Sequence, residues 1–309
     1  MSLSAAPEPG APVWVHARGV LTLERPRVMA VVNLTPDSFS DGGALISRGN
    51  EDPDVDRAVD ACRELVRQGA DILDLGGEST RPGAAPVDPA QELRRVLPLL
   101  QRLAADPELA ATPVSIDTRH AATAAAAMDA GAAIINDVSG LADPEMAAVA
   151  ARTGAGLVLG HLRGEPATMQ RAVHFDDLLA EVAAELGAAV ERALRAGIAN
   201  DRILVDPGLG FGKTPEHSAA LLASAVYLTQ QTGCPVLIGA SRKGFIGALT
   251  ARPVGERLIG SVTAAVIAVL RGASVVRVHD VAATVEALRV VAGVRAASSL
   301  AAAPAHGGM

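Results

Sequence analysis

Asp117, Asn136 and Asp206 each stand at the end of a short apolar run, and Arg277 and His279 stand two apart at the end of another. Ser241, Arg242 and Lys243 follow a further run of the same kind. Residues two apart on a strand share a face, and an Arg–His pair so placed suits a phosphate or pyrophosphate. Buried carboxylates need donors, and a heterocycle with adjacent N–H and NH2 groups offers two parallel donors to one carboxylate. The stretch 28–43, VMAVVNLTPDSFSDGG, shows the pattern in full: an apolar strand delivers Asn33 and then a polar, glycine-marked loop. Asn33 and a ligand's phosphates could share a Mg2+, an ion that prefers oxygen and keeps several waters. This chemistry reaches a polar heterocycle bearing a phosphate ester, and it does not name a reaction. Any one polar strand end is ordinary turn chemistry. Eight of them carrying Asp, Asn, Lys, Arg and His are hard to explain as turns.

The elements that must position these groups alternate along the chain. Apolar strand patterns cover 28–34, 72–76, 114–117, 134–138, 156–161, 203–206, 236–240 and 274–279. Helical patterns cover 54–68, 89–104, 121–129, 144–152, 175–196, 218–231, 256–271 and 281–291. Eight strands, each followed by a helix, predict an α/β fold, a single (β/α)8 barrel whose strand carboxyl ends converge on one face. A doubly wound sheet is the alternative, because pattern alone does not prove closure. Residues 13–16 and 20–23 flank Ala17-Arg18-Gly19 and predict a short N-terminal β-hairpin at the bottom of the barrel. The expected organisation is a disordered N-terminus at 1–12, the barrel at 13–295 and a loose Ala/Gly-rich tail at 296–309.

Composition narrows the function classes. The chain has 309 residues, is half hydrophobic and carries a net charge of −7, which argues against nucleic acid or an anionic membrane as the main partner. Aromatics are 2%, too few for base-stacking platforms. Cys62 and Cys234, without a CxxC, are expected as reduced core thiols of a cytoplasmic protein. No signal peptide and no uncharged apolar stretch of about 18 residues is expected.

Several longer motifs sit at these strand ends. NLTPDSFSDGG at 33–43, DLGGESTRPGA at 74–84, SIDT at 115–118, IINDVSG at 134–140, DPGLGFGK at 206–213, SRKGFIG at 241–247 and VVRVHDV at 275–281 resemble the dihydropteroate synthase family, in family order. The resemblance implies a pterin-binding barrel that joins 6-hydroxymethyl-7,8-dihydropterin pyrophosphate to p-aminobenzoate, giving 7,8-dihydropteroate and pyrophosphate. It implies pterin binding by Asp117, Asn136, Asp206 and Lys243. It implies Mg2+ beside pyrophosphate at Asn33, and an anion site at Arg277 and His279 with Thr80 nearby. Phe39 and Pro82 match walls of the p-aminobenzoate pocket, Arg81 matches a residue steadying closed loops, and Phe211 is retained in the glycine-rich run. The implied mechanism is dissociative, with Asp117, Lys243, Arg277 and His279 closest to the chemistry, and a homodimer through helices of the C-terminal half is implied as well.

Three positions depart from the family pattern. Gly160-His161-Leu162 stands where Met-His-Met is usual, Leu209 where Phe is common, and Gly244 where some relatives carry Ser, leaving a backbone N–H for the p-aminobenzoate carboxylate. Gly212-Lys213-Thr214 fails as a P-loop because Pro207 occupies the first glycine position, so Lys213 is expected as a structural or rim residue. His120, His174 and His217 are expected to be solvated or capping, Glu78 to support rather than to act, and His161 to be either a pterin floor or a satisfied core histidine. Two rivals remain at this level: a pterin-dependent methyltransferase barrel, which has no need of the basic half, and a non-catalytic pterin-binding paralogue.

Overall fold

The structure, a computed structural model, describes residues 12–35, 52–79, 83–84, 86–165 and 167–301, with side chains to 297. Its strands are β1 Val13–His16, β2 Gly19–Thr22, β3 Arg27–Asn33, β4 Ile72–Gly76, β5 Val114–Asp117, β6 Ile134–Asp137, β7 Gly156–Gly160, β8 Ile203–Asp206, β9 Leu237–Ile238 and β10 Val275–Val278. Its helices are α1 Val55–Arg67, α2 Pro89–Ala105, α3 Ala121–Asp129, α4 Met146–Thr153, α5 Leu178–Arg195, α6 Pro215–Leu222, α7 Ala225–Thr232, α8 Gly244–Thr250, α9 Leu258–Leu270 and α10 Val281–Ala301.

Strands β3 to β10 form one parallel sheet in the order β8-β7-β6-β5-β4-β3-β10-β9. Its two edges meet: Val205 bridges Val236 in parallel, and the Val205 N–H donates to the Pro235 carbonyl at 3.0 Å. The sheet closes into the expected barrel, which excludes the doubly wound alternative. All five residues of β4 and of β7 are buried, as befits strands covered by helices outside and by side chains inside.

The antiparallel hairpin β1–β2 closes the amino end. Trp14 is fully buried there among Met29, Ile72, Ile134, Val158, Leu204, Leu237 and Val275, one layer drawn from the starts of the barrel strands. Its indole N–H donates to the Arg202 carbonyl at 2.9 Å, so the polar edge of the ring is satisfied inside the plug. With the bottom filled by apolar side chains, the carboxyl ends form the mouth.

Several boundaries differ from expectation for local reasons. The pattern at 218–231 is broken into α6 and α7, because Ser224 Oγ donates back to the Leu221 carbonyl at 2.7 Å and Val226 N–H turns to the Arg271 carbonyl. The strand expected at 236–240 keeps two residues as β9, leaving Gly239 and Ala240 free of the ladder. Helix α8 was not expected. It contains Gly247, where a Cβ would lie 2.2 Å from the Arg257 guanidinium, so the helix carries a glycine to let that side chain pack. The last helix runs on to Ala301, past the expected end at 291. No helix among the described residues is long and apolar enough to cross a membrane.

Candidate active site

The barrel places the predicted polar set on one mouth. Asp117 ends β5, Asn136 lies in β6, Asp206 ends β8, Arg277 lies in β10, and Asn33 ends β3. Two glycines show how closely they converge. A Cβ on Gly239 would lie 3.8 Å from each of Asp206 Oδ2, Lys243 Nζ and Arg277 Cβ. A Cβ on Gly76 would lie 3.7 Å from Asn33 Oδ1 and 3.9 Å from Asp117 Oδ2. Gly239 therefore keeps room where an acid faces two cations, and Gly76 keeps room between an amide and an acid. Phe39, Thr80, Arg81 and Pro82 lie outside the described residues.

Arg277 is not open toward an anion in this state. Its Nε donates to Asp74 Oδ2 at 2.5 Å and its Nη2 to Asp117 Oδ2 at 2.6 Å. Burial works against the guanidinium charge, yet Asp74 and Asp117 hold its pKa above the ordinary range. Burial pushes the Asp117 carboxyl up to about 7, with Arg277 pulling the other way. Asp74 also accepts from Asn136 Nδ2 at 3.2 Å, so one fully buried carboxylate orients two of the expected ligand-binding side chains. Sequence reasoning quoted Asp74 within a motif but gave it no role. The available signal was an acid inside the apolar strand ILDLG, two residues from Gly76 and on the same face.

Lys243 Nζ donates to the Leu209 carbonyl at 2.6 Å and stands 4.6 Å from the Phe211 ring centroid. Burial pushes it down to about 8, against the attraction of Asp206. Its neighbour Arg242 sits in the left-handed region at φ 59° and forks onto Asp280 through Nε at 3.1 Å and Nη2 at 2.6 Å. Arg242 is thus a support of the turn rather than part of an anion site. His279 Nδ1 lies 3.1 Å from Ser241 Oγ, so the serine orients the imidazole. Gly244 opens α8, and a Cβ there would meet nothing within 4 Å.

One of the three departures has a steric cause. A Cβ on Gly160 would lie 2.6 Å from the Val138 Cα, so this backbone admits no methionine there. His161 is buried, faces Lys213 Nζ through Nδ1 at 2.9 Å, and lies 3.0 Å from Glu185 Oε2 through Nε2 without the geometry of a hydrogen bond there. Burial, then Lys213, pushes it down to about 4. Lys213 is no rim residue, being 2% exposed.

Behind the mouth, Glu78 accepts a fork from Arg119 at 3.0 Å through both oxygens and takes the Val87 N–H at 3.1 Å, the supporting role expected of it. His217 completes a capping box with Thr214, and His174 is exposed, as expected. His120 corrects the expectation: it makes no side-chain cap and instead places Nδ1 3.1 Å from Glu92 Oε2, because that fully buried carboxylate needs donors. Thr118 and Thr123 supply two more, at 3.0 and 2.7 Å. Glu78, Glu92 and His120 offer ligand atoms within 4.8 Å of one another, but Arg119 already holds both oxygens of Glu78.

Comparison with known proteins agrees with this geometry. The pterin binding enzyme family model matches residues 29–279. The dihydropteroate synthase of Escherichia coli K12 is 44% identical over 271 residues, covering 88% of this chain and 92% of that protein. The Yersinia pestis dihydropteroate synthase, solved as a sulfonamide drug complex, superposes with a TM-score of 0.85 at 41% identity, covering 92% of this chain and 99% of that one. The Xanthomonas albilineans enzyme, solved with 7,8-dihydropteroate, gives 0.80 at 43% identity, with 92% and 99% coverage. The same enzyme solved with 4-aminobenzoic acid gives 0.82 at 46%, with 93% and 99%.

Proposed function

This chain belongs to the dihydropteroate synthase family of pterin-binding enzymes, and from that membership we propose how its barrel mouth joins 6-hydroxymethyl-7,8-dihydropterin pyrophosphate to p-aminobenzoate. The bond from the pterin methylene to the pyrophosphate oxygen breaks, and pyrophosphate leaves with the electron pair. The aryl amine supplies the new C–N bond and loses a proton, giving 7,8-dihydropteroate. One observation carries the assignment of roles: Asp206, Lys243 and Arg277 converge around Gly239, while Asn33 and Asp117 converge around Gly76.

Asp206 and Asn136 accept from and donate to the pterin edge, and Lys243 donates to its acceptor atoms. Asp117 shares the surroundings of Gly76 with Asn33 and carries the negative charge that stabilises the methylene as it becomes cationic. His279, oriented by Ser241, and Arg277 hold the pyrophosphate. Arg277 does so by exchanging part of its bonding from Asp117 to the anion, which frees Asp117 for the pterin. No strong base is required, because an aryl amine is nucleophilic when neutral. Phe211 and Gly244 line the approach to Lys243, and Phe39, Thr80, Arg81 and Pro82 complete the p-aminobenzoate side.

The neutral amide oxygen of Asn33 suits Mg2+, an oxygen-preferring ion that Asn33 would hold beside the pyrophosphate. When bound, the ion would neutralise charge on the departing pyrophosphate. Two buried free cysteines support a reducing, cytoplasmic setting. The exposed apolar side chains Leu258, Ile259, Ile267 and Leu270 of α9, with Val290 and Val294 of α10, support a homodimer through these helices. Incubation with pterin pyrophosphate, p-aminobenzoate and Mg2+ should yield dihydropteroate and pyrophosphate in equal amounts. Failure to form them under conditions where the protein binds pterin would leave a pterin-binding paralogue.

A further inference from the structure

Lys213 and Lys243 are the only two lysines among the 27 lysine and arginine residues of the chain; the other 25 are arginine. Everywhere else this sequence meets its need for positive charge with guanidinium. An ammonium differs in being compact, with three donors around one nitrogen. Lys213 uses that geometry. Its Nζ lies 2.9 Å from His161 Nδ1, 3.0 Å from the Phe211 carbonyl and 3.4 Å from the His161 carbonyl, three acceptors around one buried atom. With Nδ1 accepting, the imidazole proton sits on Nε2, facing Glu185 Oε2, and Arg163 donates to Glu185 in turn.

The segment bound in this way is the glycine-rich turn 207–212. Gly208 and Gly212 have φ of 64° and 62°, and a Cβ on either would lie 2.0 Å from the His161 carbonyl oxygen or 2.5 Å from that of Arg163. The turn thus lies directly on the segment that follows β7, and Lys213 holds the two together. The same turn presents the Leu209 carbonyl and the Phe211 ring to Lys243. The two lysines thus hold one turn between them. We propose that Lys213 is a positioning residue, fixing the 207–212 turn so that the Leu209 carbonyl and the Phe211 ring hold the Lys243 ammonium where the pterin meets it. This rests on the assignment of Lys243 to the pterin above. Burial pushes Lys213 down to about 7 while Asp206 draws it up, so the ammonium is held at some cost to the fold.

The test is steady-state kinetics on wild type, Lys213→Met, Lys243→Gln and the double variant, with thermal unfolding alongside. For Lys213→Met, KM for pterin pyrophosphate should rise about tenfold, the size of one lost charged hydrogen bond, with KM for p-aminobenzoate within about twofold. In the Lys243→Gln background the same change should alter kcat/KM for the pterin by less than about twofold, because its target is already gone. An equal loss in both backgrounds, or a parallel rise of both KM values, would overturn the proposal and leave Lys213 as general packing. If Lys213→Met does not fold, Lys213→Gln, which keeps donors at shorter reach, takes its place with the same outcomes. A wild-type protein that forms no dihydropteroate strikes the assignment of the site itself. An active wild type with an additive cycle strikes Lys213 alone.

Discussion

Arg277 Nη2 donates to Asp117 Oδ2 at 2.6 Å across 160 positions of sequence, while its Nε holds Asp74. The group suited to pyrophosphate and the carboxylate suited to the pterin methylene neutralise each other before substrate arrives. Removing Arg277 therefore does more than open an anion site. Arg277→Ala should destabilise the protein at neutral pH by about 3–5 kcal/mol, since two buried carboxylates lose their cation. The deficit should shrink as the pH falls below about 7 and the Asp117 carboxyl takes up a proton. Urea unfolding of both proteins at neutral and acid pH measures this, and a deficit independent of pH would show that the guanidinium contributes by packing.

Ser241 Oγ accepts the backbone N–H of His279 at 3.3 Å and lies 3.1 Å from its Nδ1, which aims the imidazole into the mouth. His279→Ala should weaken pterin pyrophosphate by about 1.5–3 kcal/mol, as for one hydrogen bond to a charged group, and leave the unphosphorylated pterin nearly unchanged. Calorimetry on the two ligands decides it, and equal losses would remove His279 from the anion site.

Asp117→Asn keeps size and one acceptor oxygen while removing charge. The rate at saturating substrate should fall about a hundredfold, near 2.7 kcal/mol, the size of one preorganised electrostatic partner. Affinity for pterin pyrophosphate should change far less, since charge matters most as the methylene becomes cationic. Single-turnover kinetics beside direct binding separates the two. A drop in affinity alone would move cation stabilisation to Asp206.

Lys243 is held down to about 8 by burial, so it donates as an ammonium below that pH and loses its proton above it. The sign follows: kcat/KM for pterin pyrophosphate should fall on the alkaline side with a midpoint near 8. Lys243→Arg should abolish that limb while lowering the plateau, because guanidinium stays charged but does not fit three-donor geometry. A limb unchanged in the variant would assign it to another group.

Much of this was legible in the sequence because apolar strands ending in polar residues are a local signal. Residues 72–76, 114–117 and 203–206 are strands as expected, and Asp117, Asn136, Asp206 and Arg277 do meet. The commitments between them were not legible. Asp74 binds Arg277 203 positions away, and nothing near either residue announces it. Helix α8 escaped because seven residues with two glycines show no helical period. His120 is expected to be solvated or capping because a histidine at a helix start reads that way. Its true partner, Glu92, is brought near only by the packing of α2 on α3.

The hairpin plug has a kinetic consequence. Trp14 leaves the ribosome 188 positions ahead of Arg202, whose carbonyl receives its indole N–H. Strand β3 likewise waits for Val275 to Val278 before its second edge is paired. Until then an apolar strand and a large indole are both uncovered, and contacts at such separation form slowly. The growing chain is consequently at its most vulnerable to edge-to-edge association when most of it has already been made. Fusions or truncations that delay the C-terminal third should aggregate through β3, even though every catalytic strand end upstream of that point has been synthesised.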